Sequence, residues 1–204
     1  MGNTLKACIT LFMLMAVYST SYSQSHKQEI TAFRKHYIED FLKNKSSPLK
    51  EDDLKYLRFF EPDSSFRVEA KVELVSNAGV FTIPAISGGG SEYTKYAVLS
   101  FTIKGKVMTL EVYRNAALSR MPLYADYLFL PFTDETNGKE TYGNGRYIDL
   151  REGDFKNNKL TLDFNKAYNP YCAFASGYAC PKPPQANNLH VAIEAGEKNF
   201  AKGH

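Results

Sequence analysis

The chain contains no tryptophan, only four histidines and only three cysteines among its 204 residues. It also lacks a run of one charge. Lys and Arg number 25, Asp and Glu 22, and the formal net charge is +3. Without a stripe of Lys and Arg, nucleic acid has no electrostatic footprint here. The histidines, His26, His36, His190 and His204, form neither an H-E-x-x-H motif nor a pair at ligand spacing, so no metal is expected. No G-x-S-x-G marks a serine nucleophile. No G-x-G-x-x-G follows a strand and opens a helix, so no dinucleotide cofactor is expected, and Gly88-Gly89-Gly90 reads as a flexible bend. The missing tryptophan removes the commonest platform for stacking a sugar. Ile9–Val17 is the one long apolar run, which excludes a multi-pass membrane protein and leaves no spanning segment in the rest of the chain.

That run belongs to a predicted signal peptide over residues 1–23. Lys6 precedes it, and Ile9–Val17 is too short to cross a hydrocarbon core of about 30 Å. Ser21-Tyr22-Ser23 then offers small residues at the two positions a signal peptidase reads, which predicts cleavage after Ser23. A retained membrane anchor is the alternative. Lipidation at Cys8 is disfavoured because that cysteine precedes the apolar run. The mature chain, 24–204, is expected to be one β-rich domain, exported to the periplasm or cell envelope. Export suits the remaining cysteines. Cys172 and Cys180, with seven residues between them, form an even pair for an oxidising compartment, and a disulfide there contributes roughly 2–3 kcal/mol by the chain-entropy model. Two buried thiols or half of a metal site are the alternatives; C-x-x-C redox spacing is absent.

The hydrophobic period assigns the elements. His26–Lys43 reads as an amphipathic helix, with Ile30, Phe33, Tyr37 and Phe41 at helical spacing and Ser46-Ser47-Pro48 as its stop. This aromatic stripe is expected to dock on the core. Arg34 lies close to the same face, where its stem can pack while the guanidinium reaches water. From Phe66 the period becomes two: Phe66, Val68, Ala70, Val72 and Leu74 alternate with charged residues, as in a half-buried antiparallel strand. Further strands are predicted at Val80–Ile86, Tyr93–Ile103, Val107–Tyr113, Tyr127–Phe132, Arg146–Leu150, Leu160–Phe164 and His190–Ala195, with Lys104-Gly105 as a hairpin turn. The fold class is therefore mainly β: an N-terminal amphipathic helix plus an antiparallel curved sheet, barrel-like or a sandwich.

Unusual chemistry concentrates in Pro131–Pro184. Arg146 follows a Gly-x-Gly turn among Glu140, Asp149 and Asp163. If the strands beginning at Arg146 and Leu160 pair, the guanidinium can meet Asp163 or Glu140 bidentately. Such a group is either an ion-pair network that pins loops or the anchor of a cleft for an anion or glycan. Two of the three acids can also be drawn as the acid and base of a glycosidase. Tyr142, Tyr147, Tyr168, Tyr171 and Tyr178 are candidate stacking platforms, with Asn165 and Asn169 as amide partners. Asp134–Gly138 resembles a calcium loop, but its glycine comes one place early and the twelfth-position Glu is missing, so it reads as a turn.

The strings Gly138–Leu150, Leu162–Phe174, Cys180–Pro184 and Ala195–Lys198 resemble a bacterial and archaeal family catalogued as domain of unknown function 1684. Two positions depart from its pattern: Asn144 stands where a third Gly is expected, and Asn187 where Glu is expected. The resemblance implies a single domain with a focused region and supplies no reaction. Three readings remain open. The first is an exported protein that binds a small polar or anionic ligand, a glycan or an envelope component through Arg146, Tyr142, Tyr147, Asn165, Tyr168 and Asn169. The second is a hydrolase using a carboxylate pair oriented by Arg146. The third is a satisfied structural network with no site in the block.

Overall fold

The computed structural model describes residues 24–202. The predicted signal peptide lies outside them. The helix α1 spans 24–43 and stops where expected, with the Asn44 side chain accepting from the Ser46 backbone N–H and hydroxyl. Seven antiparallel strands follow: β1 Arg67–Leu74, β2 Val80–Pro84, β3 Gly90–Ile103, β4 Lys106–Asn115, β5 Tyr127–Phe132, β6 Arg146–Arg151 and β7 Lys159–Asp163. They form a curled half-barrel in the order β6-β5-β4-β3-β1-β7, with β2 added beside β3. Lys104 and Gly105 both have positive φ, the condition for the two-residue hairpin between β3 and β4. Asn157 and Asn158 make the same turn before β7.

The two ends of the sheet, β6 and β7, are not hydrogen-bonded to each other. The pairing considered for them is thus corrected: among the strands, β6 pairs with β5 and β7 with β1. Their facing edges instead border a gap of about 330 Å³.

One face of the sheet carries the main core, with Ala70, Val72, Leu99, Leu110, Leu130, Ile148 and Leu162. The opposite face carries an aromatic cluster of Tyr93, Tyr113, Phe129 and Tyr147 with Ile83. In β3 a bulge between Lys95 and Ala97 moves the inward set, so Tyr93 and Ala97 serve different clusters. Strand parity matters most in β6, where Arg146, Ile148 and Leu150 point into the main core and Tyr147 and Asp149 point the other way.

The predicted strand His190–Ala195 is a correction. Its alternation is real, since Leu189, Val191, Ile193 and Ala195 are all buried in the main core. The segment joins no strand ladder; besides the Glu135 N–H on the Val191 carbonyl, side chains hold its backbone. Arg146 donates to the carbonyls of Ile193 (2.9 Å), Ala195 and Glu197 (3.3 Å), and Asp134 accepts from the Ile193 N–H (3.1 Å). Gly196 has a φ of +79°, and a Cβ there would lie 2.6 Å from the Ala167 carbonyl oxygen, so only glycine fits this turn.

The helix stripe is partly a docking face. Ile30 and Phe41 are buried, whereas Phe33 and Tyr37 keep partial exposure. Arg34 departs from expectation. Its guanidinium lies 4.7 Å from the centre of the Phe59 ring, and Nε and Nη2 are shielded without a hydrogen-bond partner.

Candidate functional site

Between α1 and the outward face of β6 lies a cleft of about 560 Å³. Phe33, Tyr37 and Phe41 form its helical wall. Tyr147, Tyr168, Tyr171 and Tyr178 line the rest, and Asp149 is its inner carboxylate. Local pairing explains the arrangement. Tyr168 exchanges both backbone hydrogen bonds with Tyr147 (2.9 and 3.0 Å), so the segment after β7 lies along β6 and sets the Tyr168 ring beside Asp149. Tyr127 of β5 sits opposite Arg151, one diagonal step from Asp149 on the same face.

Both phenols donate to one oxygen of that acid: Tyr127 at 2.7 Å and Tyr168 at 2.6 Å, each to Oδ1. Asp149 is enclosed by protein on its flanks yet keeps exposed surface toward the cleft, so it occupies a recess rather than a core. Burial raises its pKa above the ordinary carboxylate value, opposed by the two hydroxyl donors and the charge of Arg151. Burial raises the Tyr168 and Tyr127 hydroxyls well above theirs, and the Asp149 charge adds to it.

A loop closed by a disulfide completes the wall. Cys172 and Cys180 are bonded, with Cα atoms 6.2 Å apart. The rings of Tyr171, just before that loop, and Tyr178, inside it, meet edge to face at 5.2 Å. Tyr147 anchors the far side by donating its hydroxyl to the Pro181 carbonyl.

Other residues singled out from the sequence lie elsewhere. Arg146 is 0% exposed and pairs with Asp134 at 2.8 Å, so its carboxylate partner is neither Asp163 nor Glu140. Asp134 uses its other oxygen for Thr136 and the Ile193 N–H, which makes the calcium-like segment a turn built around an ion pair. Asp163 is buried; it meets His26 at 2.8 Å and Arg67 at 3.5 Å and accepts from Asn165. Glu140 is exposed, 3.8 Å from Lys198. Asn165 clasps both backbone groups of Asp63. Asn169 is fully buried and donates to the Lys198 carbonyl. Tyr142 packs beside Phe41, Leu49 and Phe174 and donates to the Cys172 carbonyl at 3.4 Å. Asn187 binds the Glu111 N–H and carbonyl and the Pro131 carbonyl, a task that needs an amide's donor and acceptor together.

Of the proposed catalytic acids, then, only Asp149 lines the main cleft; of the proposed ligand-binding residues, only Tyr147 and Tyr168 do. The sequence reading missed Tyr127, the helical wall as a site, and Glu197. The parity of β6 carried the available signal, since Tyr147 and Asp149 fall on the face opposite Arg146. Among the described residues no group of three or more His, Cys, Asp and Glu side chains converges on a metal position, and no helix is long and apolar enough to cross a membrane.

Residues 52–198 match the family described as Protein of unknown function (DUF1684). The solution NMR structure of an uncharacterized protein from Haloarcula marismortui is similar at a TM-score of 0.59 and 30% identity, covering 90% of this chain and 95% of that one. No curated protein matches.

Proposed function

The chain belongs to the DUF1684 family, and from that premise, which brings no assigned activity, we propose that it binds a small polar ligand in the aromatic cleft. One observation carries the reading: Asp149 stands at the inner end of that cleft with one oxygen gripped by two tyrosine hydroxyls. Cavities of this size with aromatic walls and a few convergent polar groups are the usual form of a small-molecule site. The test is a ligand screen by NMR on the protein with labelled tyrosines, using sugars, amines and carboxylates. Binding should move the Tyr147 and Tyr168 signals, and Asp149→Asn should weaken it. A ligand that binds while leaving those signals still would remove the cleft from the proposal.

A second reading, hydrolysis with Asp149 as general acid, is favoured by the raised pKa of that group in a recess open to solvent. Asp40 of α1 is the other acid on the cleft wall. Turnover of aryl glycosides that disappears in Asp149→Asn would support it.

We further propose that the protein works outside the cytoplasm. The apolar run Ile9–Val17 and the Cys172–Cys180 bond support this. N-terminal sequencing of protein recovered from the cell envelope should begin at Gln24. Recovery of an uncleaved chain from the cytoplasm would overturn it.

A further inference from the structure

Resting on the binding reading above, we propose that the cleft takes a small organic cation, an ammonium held between the Asp149 carboxylate and the faces of the surrounding tyrosines.

The argument is one of charge. The basic side chains that border the cleft each lie beside an acid: Lys166 holds Glu29 at 2.8 Å, and the His36 ring lies 3.7 Å from Glu39. Arg151, whose charge reaches Asp149, is 2.6 Å from Asp126 and lies over the Tyr127 ring at 5.6 Å. Among the described residues no ion pair includes Asp149. Its donors are two neutral phenols, both on Oδ1, and among the described residues no hydrogen bond falls on Oδ2. A carboxylate in a recess, with no ion pair of its own among the described residues, is complementary to a cation.

The walls agree. Tyrosine and phenylalanine faces are electron-rich and attract a positive charge within about 6 Å of the ring centre. Tyr37, Phe41, Tyr147, Tyr168 and Tyr171 all border the space. The phenol of Tyr168, which lines the cleft, gives its proton to Asp149, so its oxygen remains an acceptor for a ligand N–H group. An anion would instead face Asp149 and Asp40. A neutral sugar would find hydrogen bonds but leave the charge unmatched.

The experiment is a binding comparison at constant ionic strength and neutral pH. The probes are benzylammonium, tetramethylammonium and 1,4-butanediammonium against benzyl alcohol, benzoate and cellobiose. The readouts are the ring signals of the cleft tyrosines and the dissociation constants. Benzylammonium should bind roughly tenfold or more tighter than benzyl alcohol, the size of preference that one desolvated charge contact supplies. Benzoate should bind more weakly than either. Asp149→Asn should abolish the preference while benzyl alcohol still binds. The wild-type comparison stands by itself if Asp149→Asn does not fold. If benzyl alcohol or cellobiose binds as tightly as the cations, the cation assignment is wrong and the binding reading survives. If no probe moves the cleft tyrosines, both fall.

Discussion

Tyr37 donates its hydroxyl to Glu197 at 2.8 Å, joining the wall of the cleft to a carboxylate 160 residues away that is 0% exposed. Glu197 Oε2 also accepts from the Asn169 N–H, but its Oε1 has no partner, and neither does Oδ1 of the neighbouring Asn169. Burial accordingly pushes its pKa from an ordinary 4.5 up to about 7. Because the folded value lies above the unfolded one, folding takes up a proton between them. The associated stability is complete below pH 4.5 and is lost as pH rises through about 7, an effect of about 3 kcal/mol. Urea denaturation from pH 4.5 to 8 should show that decline, and Glu197→Gln should flatten it. Parallel curves for the two proteins would mean that Glu197 does not titrate in this window.

The contrast between Arg146 and Asp149 shows where the sequence stopped being readable. Helix α1 and the strands up to β7 follow from period and turn residues alone, because each pattern is local: Tyr127–Phe132 and the Lys104-Gly105 turn needed no partner to be recognised. The segment His190–Ala195 shows a limit of the same rule. Alternation reports which side chains are buried, not whether the backbone finds a strand or a guanidinium. Arg146 and Asp149 stand three residues apart in one polar block and look alike as candidates. A single strand separates them, one into the core and one into the cleft, and only knowing which face α1 covers decides which is which. The pairing of Tyr168 with Tyr147, and that of Tyr37 with Glu197, are long-range contacts without a local pattern.

Removing either phenol from Asp149 should raise its pKa further. The hydroxyl donors stabilise the charged carboxylate and already oppose burial, so Tyr168→Phe and Tyr127→Phe each take away a contribution that lowers the value. The Tyr168 change should have the larger effect, as its contribution is the greater of the two. Carboxyl-carbon NMR titration of Asp149 in the three proteins measures this. A downward movement in either variant would show that its hydroxyl does not donate to the carboxylate.

The Cys172–Cys180 bond fixes the part of the wall that carries Tyr171 and Tyr178. Replacing both cysteines with serine frees a short loop and should cost about 2–3 kcal/mol of stability by the loop-entropy relation. The loss should be accompanied by faster hydrogen exchange in 171–181 and little change in the β3–β4 hairpin, whose amides are held in their own ladder. An exchange pattern unchanged around Tyr178 would indicate that the hydroxyl bond from Tyr178 to the Ser46 carbonyl, and not the disulfide, holds this wall.

Arg146 serves as a strand partner made from one side chain, and its loss should be felt along the whole segment it replaces. Arg146→Ala leaves buried Asp134 without its ion-pair partner and takes the donor from the carbonyls of Ile193, Ala195 and Glu197 at once. Breaking a buried ion pair on one side typically costs about 3–5 kcal/mol. The cost should be largest for this single change and smaller for the double change Arg146→Met with Asp134→Leu, which removes the orphaned charge together with its partner. Amide exchange separates the causes. In Arg146→Ala the Ile193 N–H, bonded to Asp134, should lose protection together with its neighbours, while the Leu128 and Leu130 amides of β5 keep theirs until global unfolding. If Arg146→Ala instead leaves thermal stability unchanged, the guanidinium does not hold 189–197 to the core, and its burial needs another explanation.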